Sequence, residues 1–139
     1  NYTNPNKLSS PTQVGTDTTW TEAMSSMNSS LGIKTNGTLW AWGEASYGQL
    51  GQNSSNVARS SPVQVGTDTT WSKLGTGRFA SFATKTDGTL WSWGNNGDFG
   101  VLGHNEANVS YSSPKQVPGT NWVDVTSNGQ FGPLGWYSS

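Results

Sequence analysis

One stretch of this chain occurs twice. Ser10-Pro11-Thr12-Gln13-Val14-Gly15-Thr16-Asp17-Thr18-Thr19-Trp20 returns 51 residues later as Ser61-Pro62-Val63-Gln64-Val65-Gly66-Thr67-Asp68-Thr69-Thr70-Trp71. At the same spacing, Lys34-Thr35-Asn36-Gly37-Thr38-Leu39-Trp40-Ala41-Trp42-Gly43 returns as Lys85-Thr86-Asp87-Gly88-Thr89-Leu90-Trp91-Ser92-Trp93-Gly94. One inserted residue later, Gly48-Gln49-Leu50-Gly51 matches Gly100-Val101-Leu102-Gly103, and a third copy opens at Ser113-Pro114-Lys115-Gln116-Val117 and reaches Trp122. A repeat of this period restricts the chain to one supersecondary unit used several times, whose faces are buried only by stacking on its neighbours. The units divide the sequence into 1–9, the end of a preceding repeat, then 10–60, 61–112 and a partial third at 113–139.

Each unit reads as β structure. Asn36-Gly37 and Asp87-Gly88 are hairpin signals, and the two-residue type I′ turn they suggest needs positive φ at both central residues. After the turn, Leu-Trp-x-Trp-Gly alternates with period two, placing Leu39 and Ala41 on one face and Trp40 and Trp42 on the other. Residues 79–86 can form the hairpin partner, Trp71-Ser72-Lys73-Leu74 opens another strand, and Pro62 to Val65 makes a short outer one. A proline there suits an edge, where a missing N–H costs no ladder bond. No stretch keeps a 3.6-residue apolar spacing. The expected fold is all-β, with blades of about four antiparallel strands forming an incomplete β-propeller of about 2.7 repeats. A β-solenoid competes, but its rungs are much shorter than this period.

The string Trp40-Ala41-Trp42-Gly43 to Gly48-Gln49-Leu50-Gly51, with the Ser-Pro-x-Gln-Val element about ten residues before its own Trp, resembles the repeat of the regulator of chromosome condensation family. The resemblance covers nearly the whole chain. It implies a propeller of about seven blades, used in some members for nucleotide exchange on the small GTPase Ran. In others, including bacterial, extracellular and phage-encoded proteins, it serves as a scaffold. This chain departs from the pattern at the second strand: family repeats carry His-Ser or His-Thr where it has Ser29-Ser30 and Ala80-Ser81. The third copy has Gly132-Pro133 there. Nothing matches the insertions by which the exchange factor holds its GTPase, so exchange activity is not carried over. The register also makes the chain open and close in mid-unit, which predicts a piece of a longer array or an assembly with other chains.

Composition now gains meaning. Leu, Ile, Val and Phe make up only about 16% of the chain, a disorder warning when joined to high net charge, but the charge is −1 and there are eight Trp. Each Trp can bury roughly 150–250 Å². Trp20, Trp40, Trp42, Trp71, Trp91, Trp93 and Trp122, with Gly43, Gly94, Leu50 and Leu102, are therefore expected to build the repeat. Near-neutral charge without basic clusters excludes a phosphate grip on nucleic acid. No apolar run is long enough for a membrane span. Without Cys there is no thiolate site or nucleophile, and His104 alone cannot make a multi-His metal site. A Ser-His-Asp relay needs only one His, but no nucleophile-elbow motif or phosphate loop occurs. No catalytic, cofactor or metal residue is expected.

Asp17 and Asp68, in Gly-Thr-Asp-Thr-Thr-Trp, read as turn residues bonding their own backbone; their equivalence puts them on different blades and argues against a shared ion. Trp136 and Tyr137 lie off the repeat and are candidate exposed aromatics. Asn28, Asn36, Asn53 and Asn108 begin glycosylation sequons, as Asn1 does, relevant only to a eukaryotic secreted protein. The polar loops 52–59 and 104–111 vary between units and are the best sequence candidates for a binding surface. The resulting expectation is a non-enzymatic structural or adhesive propeller segment of a surface-exposed assembly, extracellular or on a virion. Its partners would be further repeats, other subunits or a surface glycan. The alternatives are an exchange-factor-like regulatory propeller and a carbohydrate-binding module.

Overall fold

The computed structural model describes residues 10–97 and 100–126, and the backbone of 134–137. The unit at 1–9, Gly132-Pro133, and the side chains of Trp136 and Tyr137 lie outside the described residues. Among the described residues the strands are β1 Trp20–Ser25, β2 Ser29–Lys34, β3 Leu39–Gly43, β4 Arg59–Gln64, β5 Trp71–Thr76, β6 Ala80–Lys85, β7 Leu90–Gly94, β8 Tyr111–Val117, β9 Trp122–Thr126 and β10 Leu134–Tyr137. They form two four-stranded antiparallel meanders, β1-β2-β3-β4 and β5-β6-β7-β8, and a two-stranded sheet of β9 and β10. The fold is all-β and an open part of a propeller. No helix among the described residues is long and apolar enough to cross a membrane.

The sheets are out of phase with the sequence units. Each Ser-Pro-x-Gln-Val element closes the sheet before it: Pro62 lies in outer strand β4 and Pro114 in β8. Residues 65–70 then carry the chain from this outer edge to the innermost strand of the next sheet.

Period-two alternation gives each sheet two unlike faces. Leu31, Ile33, Leu39 and Ala41 of the first sheet are buried with Trp71, Leu74, Ala83 and Trp93 of the second. Phe82 and Leu90, on the far side of the second sheet, are buried with Val125 of the third. An aliphatic face thus meets a Trp-and-small-residue face at each junction. One aliphatic layer serves two sheets, and few aliphatics suffice.

The hairpin turns differ from the expected type. Gly37 and Gly88 have φ of +76° and +81°, but Asn36 and Asp87 do not enter the positive-φ region. Gly37 N donates to Lys34 O at 2.9 Å and Lys34 N to Thr38 O at 3.1 Å, a three-residue loop ending in a left-handed glycine. The cause is the side chain before the glycine. Asn36 Oδ1 accepts from Thr38 N and Oγ1 at 3.2 and 2.6 Å, and Asp87 Oδ1 does the same with Thr89 at 3.0 and 2.7 Å. The same glycines brace the next sheet: Trp71 N donates to Gly37 O at 3.1 Å and Trp122 N to Gly88 O at 3.0 Å.

Candidate binding face

An antiparallel meander places its first and third connections at one end. Here these are the short turns 26–28 and 77–79 and the long loops 44–58 and 95–110. Both long loops are pinned alike. Glu44 N donates to Asn28 O at 2.8 Å and Asn95 N to Phe79 O at 2.9 Å; Asn56 N donates to Ala45 O and Asn108 N to Gly97 O, both at 2.9 Å. Asn53, Asn56, Asn105 and Asn108 all have positive φ, between 54° and 72°. Asparagine tolerates this region better than other non-glycine residues, so two loops that differ in sequence share these left-handed positions and backbone bonds. The inserted residue falls at Asn96, which is fully buried. Its Oδ1 accepts from Leu102 N at 3.0 Å and its Nδ2 donates to Glu106 O.

The first loop straps the two sheets together. Gln49 O accepts from Ser81 Oγ at 2.8 Å and from Trp93 Nε1 at 2.9 Å. Leu50 beside it is completely buried. A Cβ at Gly48 would lie 2.8 Å from Ser112 Cα, so the strap needs glycine there.

Between this loop and the start of β8 lies a cleft of about 300 Å³ lined by Ser46, Tyr47, Gly48, Ser55, Ser110 and Ser112. Its lining carries no charge. Asn53 N donates to Ser112 O at 2.8 Å at its edge. Tyr47 is 42% exposed and its ring lies against that of Phe79, centroids 4.7 Å apart and tilted by 45°, with the Arg78 guanidinium 4.9 Å from the Phe79 ring. Met27, Val57 and Val109, also on these connections, are exposed. The two loops singled out in the sequence thus come together on one face. The hydroxyl lining and the Tyr47–Phe79 pair were not legible there, because neither residue repeats.

Below the second loop, Lys115 pairs with Glu106 at 3.3 Å and lies 4.2 Å from the Tyr111 ring, and Tyr111 donates to the same carboxylate. Tyr111, then Lys115, hold the Glu106 carboxyl below the usual range. His104 Nε2 lies 2.8 Å from Ser92 Oγ. Ser92 spends its proton on Leu102 O at 2.7 Å, so His104 Nε2–H is the donor to Ser92. Ser92 is completely buried, so the pair has no accessible nucleophile. Burial, and secondarily Lys115, push the His104 pKa down.

At the opposite end the charges are paired within each unit. Lys34 meets Asp17 at 2.6 Å and Lys85 meets Asp68 at 2.7 Å. Lys34 lies 3.6 Å from the Trp40 ring and Lys85 4.0 Å from the Trp91 ring. Lys34, then Thr19, hold the Asp17 carboxyl far below the usual range. Thr19 N also donates to Asp17 Oδ1 at 2.9 Å. Among the described residues no three His, Asp or Glu side chains converge as a metal site would need.

Residues 36–83 and 87–132 match the repeat described as the regulator of chromosome condensation (RCC1) repeat. The chain belongs to the RCC1 repeat family. The E3 ubiquitin-protein ligase HERC2 of Homo sapiens, and equally that of Mus musculus, is 35% identical over 91 residues, 64% of this chain and 2% of HERC2. Among solved structures, Prp20p from Saccharomyces cerevisiae, studied for its binding to Gsp1p and histones, superposes with a TM-score of 0.70 at 19% identity, covering 86% of this chain and 32% of that one. Human WBSCR16 gives 0.68 at 20% identity, covering 79% and 29%. Yeast RCC1 (Prp20) with Kap60 gives 0.63 at 18%, covering 80% and 28%. These structures share the fold, and the RCC1-repeat chain described here spans about a third or less of their length.

Proposed function

We propose that this chain is a non-enzymatic, protein-binding segment of an RCC1-repeat propeller, and that it recognises its partner on the loop face. The observation carrying this reading is the convergence of loops 44–58 and 95–110 on the hydroxyl-lined cleft beside Tyr47, Phe79 and Arg78. Aromatic and Arg side chains at a rigid surface are the groups that dominate protein interfaces. Family members support it: Prp20p has been studied for its binding to Gsp1p and histones, and with Kap60 bound. Those proteins are first probes for binding to immobilised chain. Saturable binding that is lost in Tyr47→Ala/Arg78→Ala supports the loop face; binding unchanged by that variant overturns it. An absence of protein binding, with hits on a glycan array that Tyr47→Ala abolishes, would favour the carbohydrate-binding alternative.

The finer reading is a structural or adhesive role in a surface-exposed assembly, on a virion or outside the cell. Composition supports it: 11% charged residues, no Cys and 18 Gly. Recovery of the protein in purified virions or the extracellular fraction tests it, and recovery only with soluble intracellular complexes overturns it.

A further inference from the structure

Arg78 stands on the loop face without a counter-charge. Lys34, Lys85 and Lys115 each hold a carboxylate within 3.3 Å. The Arg78 guanidinium has neither an ion pair nor a hydrogen bond among the described residues. It is exposed and lies 4.9 Å over the ring of Phe79, which in turn lies against Tyr47 of the cleft. The carboxylates described at this end are engaged elsewhere. Glu44 accepts from Ser46 Oγ at 2.6 Å and from Asn28 Nδ2, and Glu106 accepts from Tyr111 and Lys115. The cleft itself offers both polarities of hydrogen bond. Ser46 gives its proton to Glu44 and keeps acceptor lone pairs. Ser110 Oγ accepts from Asn96 N at 3.4 Å and keeps its proton. The hydroxyls of Ser55 and Ser112 have no partner among the described residues.

We infer that the cleft takes an extended peptide segment of a partner protein, and that one Asp or Glu side chain of that segment pairs with Arg78. The inference rests on the loop-face reading above and specifies its ligand. A peptide backbone presents N–H donors and C=O acceptors in turn, and serine hydroxyls answer both. A site built for a bare anion would present donors alone. At about 300 Å³ the cleft is at the lower end of ligand pockets, which suits a short segment. One guanidinium matches one carboxylate, as a bidentate pair. A phosphate carries nearly two charges and is held by clusters of Arg, whereas the cleft lining adds no second cation. A neutral sugar would satisfy the hydroxyls and leave Arg78 without a partner. The rings of Tyr47 and Phe79 give an apolar side chain beside the acidic one a surface to cover.

The test pans a random linear peptide library on the immobilised chain and measures the selected peptides by fluorescence anisotropy. The expected peptides share one Asp or Glu beside an apolar residue. Changing that residue to Asn or Gln, or Arg78→Gln in the chain, weakens binding roughly tenfold or more, and the two losses do not add. Arg78→Lys keeps the charge without the planar fork and retains only part of the affinity. Arg78 is exposed and makes no hydrogen bond among the described residues, so its variants should fold, and an unchanged urea midpoint checks this. Arg59→Gln removes another exposed charge, at the start of β4, and should leave affinity within about twofold. Equal losses in Arg78→Gln and Arg59→Gln overturn the proposal, as do selected peptides that lack a carboxylate. Tighter binding when phosphoserine replaces the acidic residue also overturns it, and so does a selection that enriches nothing. If carboxylate-free peptides are still lost in Tyr47→Ala, the loop-face reading stands and the Arg78 pairing alone fails. Peptides indifferent to both Tyr47→Ala and Arg78→Gln remove both readings.

Discussion

Gly88 shows how one hydrogen atom in place of a methyl group sets the distance between units. A Cβ there would lie 2.2 Å from Thr120 O, and φ is +81°. Gly15 has a similar φ, +68°, but open space around it. Gly15→Ala should therefore cost only the left-handed backbone penalty, about 1 kcal/mol. Gly88→Ala should cost roughly 2–3 kcal/mol, because the next unit's entry strand must also move. Urea unfolding of the two variants separates these terms, and equal losses would refute the clash. His104 makes a second prediction, in pH. Burial lowers its pKa below the ordinary 6.5, so the unfolded chain binds the proton more readily. Its contribution is complete above 6.5 and is lost as pH falls through that value toward the folded one. Asp87 and Glu106 have lowered pKa values, so their contributions hold above the ordinary 3.8 and 4.5 and fade as pH drops through the folded values. Both effects destabilise on acidification, in successive windows. Urea midpoints across pH should fall in the upper window first, and His104→Asn should flatten that window alone.

The long connection is the element that most separates what the sequence shows from what it hides. Strand order, face alternation and the bracing Trp were legible because each is a repeated side chain with a fixed period. The Gln49 carbonyl was not: a backbone acceptor leaves no trace in residue type, and Ser81 reads as an ordinary polar strand residue. The turn type was misread because the Asn36 and Asp87 side chains, not the dipeptide pattern, hold their backbone at negative φ. Loops 52–59 and 104–111 looked variable because their shape is kept by left-handed Asn residues and backbone bonds rather than by a shared motif. The cleft followed from none of this, since Tyr47 and Phe79 occur once each at positions where the repeat changes. Asn96 allows the loop to be tested. It absorbs a one-residue insertion by bonding Leu102 N from a fully buried carboxamide. Asn96→Ala leaves that N–H without its acceptor, which should cost about 1–3 kcal/mol. Faster exchange of the Leu102 amide, with Leu50 unchanged, would localise the loss. A uniform change across both loops would show that Asn96 does not act locally.

Across the whole molecule the innermost strands carry Glu22, Lys73 and Asp124 at equivalent positions of three successive units. Glu22 is not indifferent to the others. Burial raises its carboxyl pKa first of all, the Leu74 N–H and Lys73 lower it, and Asp124 raises it. Lys73 thus lies on the strand between those that carry the two carboxylates. Both Lys73 and Asp124 are exposed, so the effect is screened and modest. Lys73→Glu nevertheless replaces an attraction on each side by a repulsion, whereas Lys73→Gln only removes the attraction. The reversal should lower the thermal midpoint at low salt by roughly 2–6 °C, and the neutral change by less than half of that. At about 0.5 M salt, where the screening length falls below the spacing of neighbouring strands, the two variants should converge. Glu22 should titrate higher in Lys73→Glu than in the native chain, which NMR of its carboxyl carbon would read directly. Equal midpoints for the two variants at low salt would show that the three inner strands do not sense one another's charge.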